Sequence, residues 1–130
     1  MTHKAPRGAD PAPRVTIAGA VPEQRLAELY AAADLFVLPS RHEGFGMAYA
    51  EAIAYGLPVI GTTAGAIPET VGQAGVLVPP DNVPALAAAL RALIEDRDAR
   101  ERLAAAARAA ELPTWRGSAE LFSRALERVV

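Results

Sequence analysis

The chain has 130 residues, of which 52% are hydrophobic and 22% charged, and it carries a formal net charge of −2. This length suits one ordinary domain that can bury a hydrophobic core. Its 13 basic residues are interspersed with 15 acidic ones, which argues against nucleic acid or an anionic membrane as the main partner, and the absence of cysteine excludes disulfides and thiolate-bound metals.

The first residues of the chain differ from the rest in composition. Residues 1–14 are rich in proline and charge and lack the apolar core of a secretory signal. We interpret this segment as a flexible leader and residues 15–130 as the domain. The longest strongly apolar run is interrupted by Asp34 and is too short for a membrane span, so we expect a cytoplasmic protein with no transmembrane segment.

Strands and helices are predicted to alternate through the first half of the domain. Helical patterns start at Pro22, Gly46 and Ile67. Short apolar runs predict four strands, at residues 15–19, 35–39, 58–62 and 75–79. Continuous apolar strands that alternate with helices predict an open parallel sheet of about four strands, which is a Rossmann-like α/β fold.

Beyond Pro80 the periodicity is helical and predicts a helical C-terminal tail. Asp81 or Asn82 is expected to cap the first helix of this tail. Apolar side chains recur at helical spacing in that helix and predict one buried stripe, formed by Leu86, Ala89, Leu90, Leu93 and Ile94. Pro113 separates the second helix of the tail from the last one.

Two glutamates bracket a glycine-rich stretch after the second predicted strand. Glu43 and Glu51 flank Gly44 and Gly46, at the strand end where open α/β sheets bind ligands. If a helix begins near Gly44 to Gly46, its first N–H groups lack helical partners and favour a phosphate. Eight helical residues rise about 12 Å and keep both carboxylates within about a quarter turn. Because carboxylates accept hydrogen bonds from sugar hydroxyls, this spacing suits a nucleotide sugar.

Each of these residues also has a structural interpretation. Glu43 could stabilise the helix dipole without contacting a ligand, and Glu51 could be a solvated helix position. Gly44 and Gly46 could serve only a tight turn, and neither completes a dinucleotide fingerprint. The residues alone therefore leave the nucleotide-sugar site as one of two interpretations.

Other candidate sites in the sequence are weaker. Asp96-Arg97-Asp98 matches the metal-binding Asp-x-Asp of another class of sugar transferase, but it lies between two predicted helices, where acids serve as caps. His42 adjoins the glycine-rich loop without a motif residue to orient it as a base. Ser40 lacks the context of a nucleophile elbow. We therefore expect no metal site.

From Leu29 to Asp96 the sequence resembles the signature region of the retaining GT-B-fold glycosyltransferases of family 4, which transfer sugars from nucleotide sugars. Glu43 and Glu51 fall where that family has its E-x7-E pair, and the segment around Trp115 resembles its closing helix. The likeness extends over essentially all residues after the leader. It implies that the chain is the donor-binding C-terminal lobe of a GT-B enzyme, in incomplete form.

The resemblance assigns roles to the residues of the candidate site. It implies that Glu43 is the catalytic carboxylate that contacts the donor sugar, and that Glu51 holds the ribose hydroxyls. Val21 would lie beside the nucleobase. It also implies no metal and no cofactor, with a nucleoside diphosphate sugar as the substrate. The sugar and the diphosphate would meet the glycine-rich stretch, through Gly44, Phe45, Gly46 and Met47.

The sequence departs from the family near its start. The family's lobe begins with two further strand–helix units, whose Arg and Lys neutralise the diphosphate, and a separate N-terminal lobe binds the acceptor. Neither is present, and Arg41 is the nearest candidate substitute for those cations. The missing strands would lie between residues 15–19 and 35–39, so these two strands pair directly or another chain fills the gap. We expect a truncated piece or a gene remnant that needs the missing lobe or self-associates.

These features predict a donor-binding domain for hexose transfer from a nucleoside diphosphate sugar to a hydroxyl acceptor, with retained anomeric configuration and without activity of this chain alone. The nucleobase, the sugar and the acceptor are left open. Two other interpretations also stay open. One is a non-catalytic nucleotide- or protein-binding module derived from such an enzyme, and the other is a scaffold whose alanine-rich helices pack against partners.

Overall fold

A computed structural model of the chain describes residues 14–44 and 46–129. The predicted leader therefore lies outside the described residues apart from its last residue, and so does Phe45. The chain divides into two compact units, which are Met1–Ala32 and Ala33–Val130.

The described part of the first unit contains one helix. Helix α1 spans Glu23–Ala32 and follows Pro22, whose carbonyl accepts a hydrogen bond from the Leu26 N–H at 3.0 Å. The helix therefore begins one residue after the predicted start at Pro22. None of the helix's residues is buried, and Leu26 and Leu29 are 40% and 37% exposed.

The strand predicted at residues 15–19 is not formed, so this prediction is wrong. The segment has no strand conformation, and its Val15 and Ile17 are 56% and 60% exposed. A strand needs a neighbouring strand to pair its N–H and C=O groups, and the described part of the first unit supplies only a helix. The described sheet consequently has three strands instead of about four.

The second unit contains a parallel sheet with the strand order β1-β2-β3. The strands are β1 (Phe36–Val37), β2 (Val59–Thr62) and β3 (Gly75–Val78), and each lies within a predicted apolar run. Pairing of β1 with β2 extends beyond the strand itself, because the Leu38 N–H donates to the Ile60 carbonyl at 3.0 Å. The predicted parallel arrangement is confirmed.

Helices connect these strands and continue after the last one. Helix α2 (Met47–Ala54) connects β1 to β2, and α3 (Ile67–Val71) continues into a 3-10 turn that leads to β3. The C-terminal tail is helical, as predicted, and consists of α4 (Val83–Glu95), α5 (Arg97–Ala109) and α6 (Trp115–Glu127). The alternation of strands and helices confirms the open α/β fold. None of the described helices combines the length and apolar character needed to cross a membrane.

The first two tail helices begin at capping side chains. Asn82 caps α4, as predicted, and its side chain accepts a hydrogen bond from the Ala85 N–H at 2.9 Å. Asp96 caps α5 in the same way, with the Ala99 N–H at 2.9 Å. The first acid of the Asp-x-Asp sequence is thus used as a helix cap, as its position between two helices predicted.

The core of the second unit lies around β2, whose four residues are all buried. Helices α2 and α3 contact β2 and each other. They bury Tyr49, Ile53, Ile67 and Val71, each at most 2% exposed. Burial of these side chains packs α2 and α3 against the sheet, and so helps to fix the glycine-rich loop that precedes α2.

The predicted apolar stripe on α4 is only partly buried. Leu93 is buried, whereas Ile94 is 64% exposed. Eight helical steps of about 100° place Ile94 about 80° from Leu86, at the margin of the stripe. The side chain of Ile94 therefore points away from the sheet that the centre of the stripe covers.

Candidate functional site

Three loops follow the carboxyl ends of the strands at one edge of the sheet. They comprise residues 38–46 after β1, of which Phe45 is not described, 63–66 after β2 and 79–82 after β3. Parallel strands place their carboxyl ends at the same edge, and open α/β sheets bind ligands there. The glycine-rich stretch of the sequence belongs to the first of these loops.

Gly46 is the residue at which the loop after β1 becomes α2. It is the N-cap of the helix, and its backbone is left-handed, with φ 66° and ψ 35°. A Cβ atom there would lie 2.9 Å from Thr70 Oγ1, so a larger residue would need both strain and movement. No side-chain hydrogen bond from the described residues caps α2. The first N–H groups of the helix therefore lie at this edge, and its N-cap residue has no side chain that could cap them.

Gly65, in the loop after β2, packs directly against the backbone of Glu43. Its φ is +52°, and a Cβ atom would lie 2.3 Å from the Glu43 carbonyl oxygen. Glycine is required for two reasons, the positive φ and the close approach. This contact fixes the backbone of the first glutamate of the pair.

A buried tyrosine and a buried threonine fasten the start of the loop after β1. The Tyr49 hydroxyl donates a hydrogen bond to the Leu38 carbonyl and lies 3.3 Å from Ser40 Oγ. The Thr62 hydroxyl donates to the Ser40 carbonyl at 2.7 Å and accepts a hydrogen bond from the Ala64 N–H at 3.3 Å. Because both side chains are completely buried, these bonds satisfy polar groups that water cannot reach.

Three residues that support this loop are not among the predicted site residues, namely Tyr49, Thr62 and Gly65. Thr62 carried a signal, since it is a polar residue at the end of an otherwise apolar predicted strand. Gly65 carried another, as a glycine in the loop that faces the predicted site. Tyr49 carried none, because an aromatic residue on an amphipathic helix is read as core.

The predicted site residues of the second unit lie in one loop–helix segment. Glu43 is half-buried in the loop, Gly44 is exposed, and Gly46 is buried. Met47 begins α2 and is 69% exposed, and Glu51 is exposed one turn further along the same face. The helix does not extend before the left-handed Gly46, so Glu43 lies outside α2. The rise of about 12 Å expected for eight helical residues therefore does not describe the separation of Glu43 and Glu51, because only the residues from Met47 onward are helical.

Two further residues are predicted to contact the donor, but they are not among the described residues of this segment. Phe45 lies outside the described residues. Val21 is half-buried in the first unit, directly before Pro22 and α1.

Arg41 forms an ion pair across the sheet edge. Its Nε lies 2.5 Å from Oδ1 of Asp81, which belongs to the loop after β3. Asp81 has a left-handed backbone with φ 59°, which is uncommon for a residue other than glycine. Both side chains are well exposed, at 74% and 61%. A cavity of about 200 Å³ lies beside the pair, and its lining includes Pro39, Val78 and Leu86.

A cavity of about 670 Å³ lies between α2, α3 with its 3-10 turn, and the end of α5. Its lining combines alanines of α2 and α5 with three longer polar side chains, Glu69, Gln73 and Glu111. It also includes Thr70, which lies against Gly46. Among the described residues, no three His, Asp or Glu side chains form a group that could hold a metal ion.

Comparison with known proteins assigns the chain to a family. Residues 3–96 match the family model described as glycosyl transferases group 1. The O-antigen chain mannosyltransferase B of Escherichia coli is 42% identical over 83 residues, which are 64% of this chain and 22% of that protein. The chain thus spans about a fifth of the length of this relative.

Two solved structures share the fold. The sucrose-phosphate synthase of Thermosynechococcus elongatus aligns with a TM-score of 0.66 and 33% identity, over 89% of this chain and 30% of that one. The C-terminal domain of a glycosyl transferase group 1 family protein of Francisella tularensis aligns with a TM-score of 0.63 and 34% identity, over 71% of this chain and 48% of that one. The fold is that of a GT-B C-terminal lobe, and the chain belongs to the group 1 glycosyl transferases.

Proposed function

We propose that the chain is the donor-binding part of a retaining glycosyltransferase of family 4, which transfers a hexose from a nucleoside diphosphate sugar to a hydroxyl acceptor. In this reaction the acceptor oxygen bonds to the anomeric carbon, and the bond from that carbon to the diphosphate breaks. The electron pair of that bond leaves with the diphosphate, whose oxygen takes up the proton of the acceptor hydroxyl. The new bond keeps the anomeric configuration of the donor. We propose this activity for a complete enzyme in which a further lobe binds the acceptor.

The start of α2 is the observation that carries this proposal. Its N-cap is a left-handed glycine without a capping side chain, and it lies at the carboxyl edge of a parallel sheet. The first N–H groups of a helix attract anions through hydrogen bonds and the helix dipole. In the proposed reaction they bind the diphosphate and stabilise the negative charge that develops when it leaves, without a metal or cofactor.

The two glutamates take the sugars on either side of this diphosphate. Glu43 is half-buried just before the helix, and the Gly65 contact fixes its backbone. We assign it the hexose and the role of catalytic carboxylate. Glu51 lies four residues into α2 from Met47 and is exposed, and we assign it the ribose hydroxyls. Carboxylates suit both positions because each can accept hydrogen bonds from two neighbouring hydroxyls.

The assignment of Glu51 predicts that Glu51→Ala weakens binding of UDP- or GDP-sugars by at least about tenfold, since two hydrogen bonds to a charged acceptor are lost. Ligand-observed NMR on the purified chain measures this effect. The wild type should also bind a 2′,3′-dideoxy UDP analogue more weakly than UDP. In Glu51→Ala the two ligands should bind equally, because the group that distinguishes them is gone.

Glu120→Ala is the matched control for this experiment. Glu120 is an exposed helical glutamate on α6, so its removal changes the charge equally and should leave binding unchanged. A thermal melt checks that each variant is folded. If Glu51→Ala binds nucleotide sugars as the wild type does, the ribose role is wrong. If the wild type binds none of them, a gene remnant or a scaffold is favoured over donor binding.

A further inference from the structure

The charges at the carboxyl edge of the sheet are unevenly distributed. The described residues of the three loops carry two carboxylates, Glu43 and Asp81, and one arginine, Arg41, beside His42. A nucleoside diphosphate that binds at this edge brings negative charge on both phosphates next to those carboxylates. A cation nearby would stabilise such an anion. Among the described loop residues, Arg41 is the side chain with a permanent positive charge.

The ion pair of Arg41 keeps its guanidinium at this edge. The pair joins the loops after β1 and β3, with 2.5 Å between Arg41 Nε and Asp81 Oδ1. Asp81 directly precedes Asn82, the N-cap of α4, so the end of a regular helix fixes its place in the turn. Arg41 in turn directly follows Ser40, whose carbonyl accepts a hydrogen bond from the buried Thr62 hydroxyl. Both ends of the pair are therefore attached to backbone whose neighbouring residues are held by hydrogen bonds.

We propose that Arg41 binds the diphosphate of the donor, and that Asp81 is the partner it leaves when the donor binds. This inference rests on the proposed function. The pair is exposed on both sides, and exposed ion pairs are weak because water screens them. A diphosphate offers a guanidinium several oxygens and more charge than one carboxylate, in a geometry that arginine matches with two parallel hydrogen bonds. The anion can therefore replace Asp81.

A purely structural role of the same pair predicts a different outcome. If the pair only ties two loops together, loss of either partner loosens the loop that carries Glu43, and both substitutions weaken nucleotide binding. If Asp81 competes with the diphosphate for Arg41, loss of Asp81 instead strengthens binding. The two roles thus predict opposite changes in nucleotide affinity when Asp81 is replaced.

Isothermal titration of the chain with UDP and with GDP provides that measurement. For the nucleotide that binds, Arg41→Gln should weaken binding by about tenfold, through loss of hydrogen bonds to a charged group. Asp81→Asn should tighten it by about two- to fivefold, the size of effect expected from an exposed ion pair. Asparagine tolerates the left-handed backbone of residue 81, so the turn is kept.

Arg97→Gln is the matched control. Arg97 forms a comparably exposed pair with Glu101 on α5, at 3.0 Å, and its loss changes the net charge by the same amount. Its variant should bind as the wild type does. Weaker binding by Asp81→Asn, or unchanged binding by Arg41→Gln, would overturn this inference while leaving nucleotide binding by the wild type intact. Failure of the wild type to bind UDP and GDP would overturn it together with the proposed function.

Discussion

Replacing Gly65 by alanine should lower the free energy of unfolding by about 2 to 5 kcal/mol, the sum of left-handed strain and a steric clash. The added Cβ would lie 2.3 Å from the Glu43 carbonyl oxygen, at a φ of +52°. The backbone of Glu43 must then move away from the loop after β2. Chemical denaturation measures the loss of stability, and nucleotide-sugar binding should fall with it because Glu43 is displaced.

Gly72→Ala separates the two causes of this effect. Gly72 also has a positive φ of +50°, with ψ −125°, but a Cβ there would meet no atom within 4 Å. Its replacement should therefore cost about 1 to 3 kcal/mol, from backbone strain alone. A larger loss for Gly65→Ala than for Gly72→Ala would indicate a contribution from the contact with Glu43. Equal losses in both variants would show that Gly65 does not hold Glu43 in place.

Gly75→Ala should be even more harmful to the fold, with a loss of about 3 kcal/mol or more. Gly75 begins β3 and lies opposite Val59 of the central strand. A Cβ there would lie 2.2 Å from the Val59 carbonyl oxygen and 2.8 Å from Cγ1 of Val71. Both neighbours belong to the buried core, so neither can move without breaking the packing of β2. A large fraction of the total stability of a domain of this size would be lost.

The control for Gly75→Ala is Gly44→Ala. Gly44 lies outside the left-handed region, and its added Cβ would meet nothing within 4 Å. The denaturation midpoint of this variant should stay within experimental error of the wild type. If Gly75→Ala unfolds at the same denaturant concentration as Gly44→Ala, the close packing of β3 on β2 is not present in solution.

The parallel sheet could be predicted because its strands are continuous apolar runs. Residues 58–62 and 75–79 contain the whole of β2 and β3, since buried strands in parallel sheets are apolar on both faces. The run at residues 15–19 has the same composition but forms no strand. Composition shows that a segment is able to be a buried strand, whereas pairing depends on a neighbour that local sequence does not specify.

The candidate site could be predicted where the residue type itself indicates the local backbone structure. Gly46 was expected at the start of a helix, and it is the left-handed N-cap of α2. The support for Glu43 was not foreseen, because Gly65 and Thr62 come from another strand and its loop. Such contacts follow from the strand order, which places the loops after β1 and β2 side by side.

The arrangement of the donor is tested most directly by amide NMR spectra of the isotope-labelled chain during titration with UDP-sugars and GDP-sugars. If the diphosphate binds at the start of α2, the largest shifts should fall on the N–H groups of Gly46, Met47 and Ala48, with smaller ones near Glu51. The same titration with the bare nucleoside should leave those three signals in place. Shifts centred on the cavity beside Glu111, or none at the start of α2, would contradict the proposed binding of the donor.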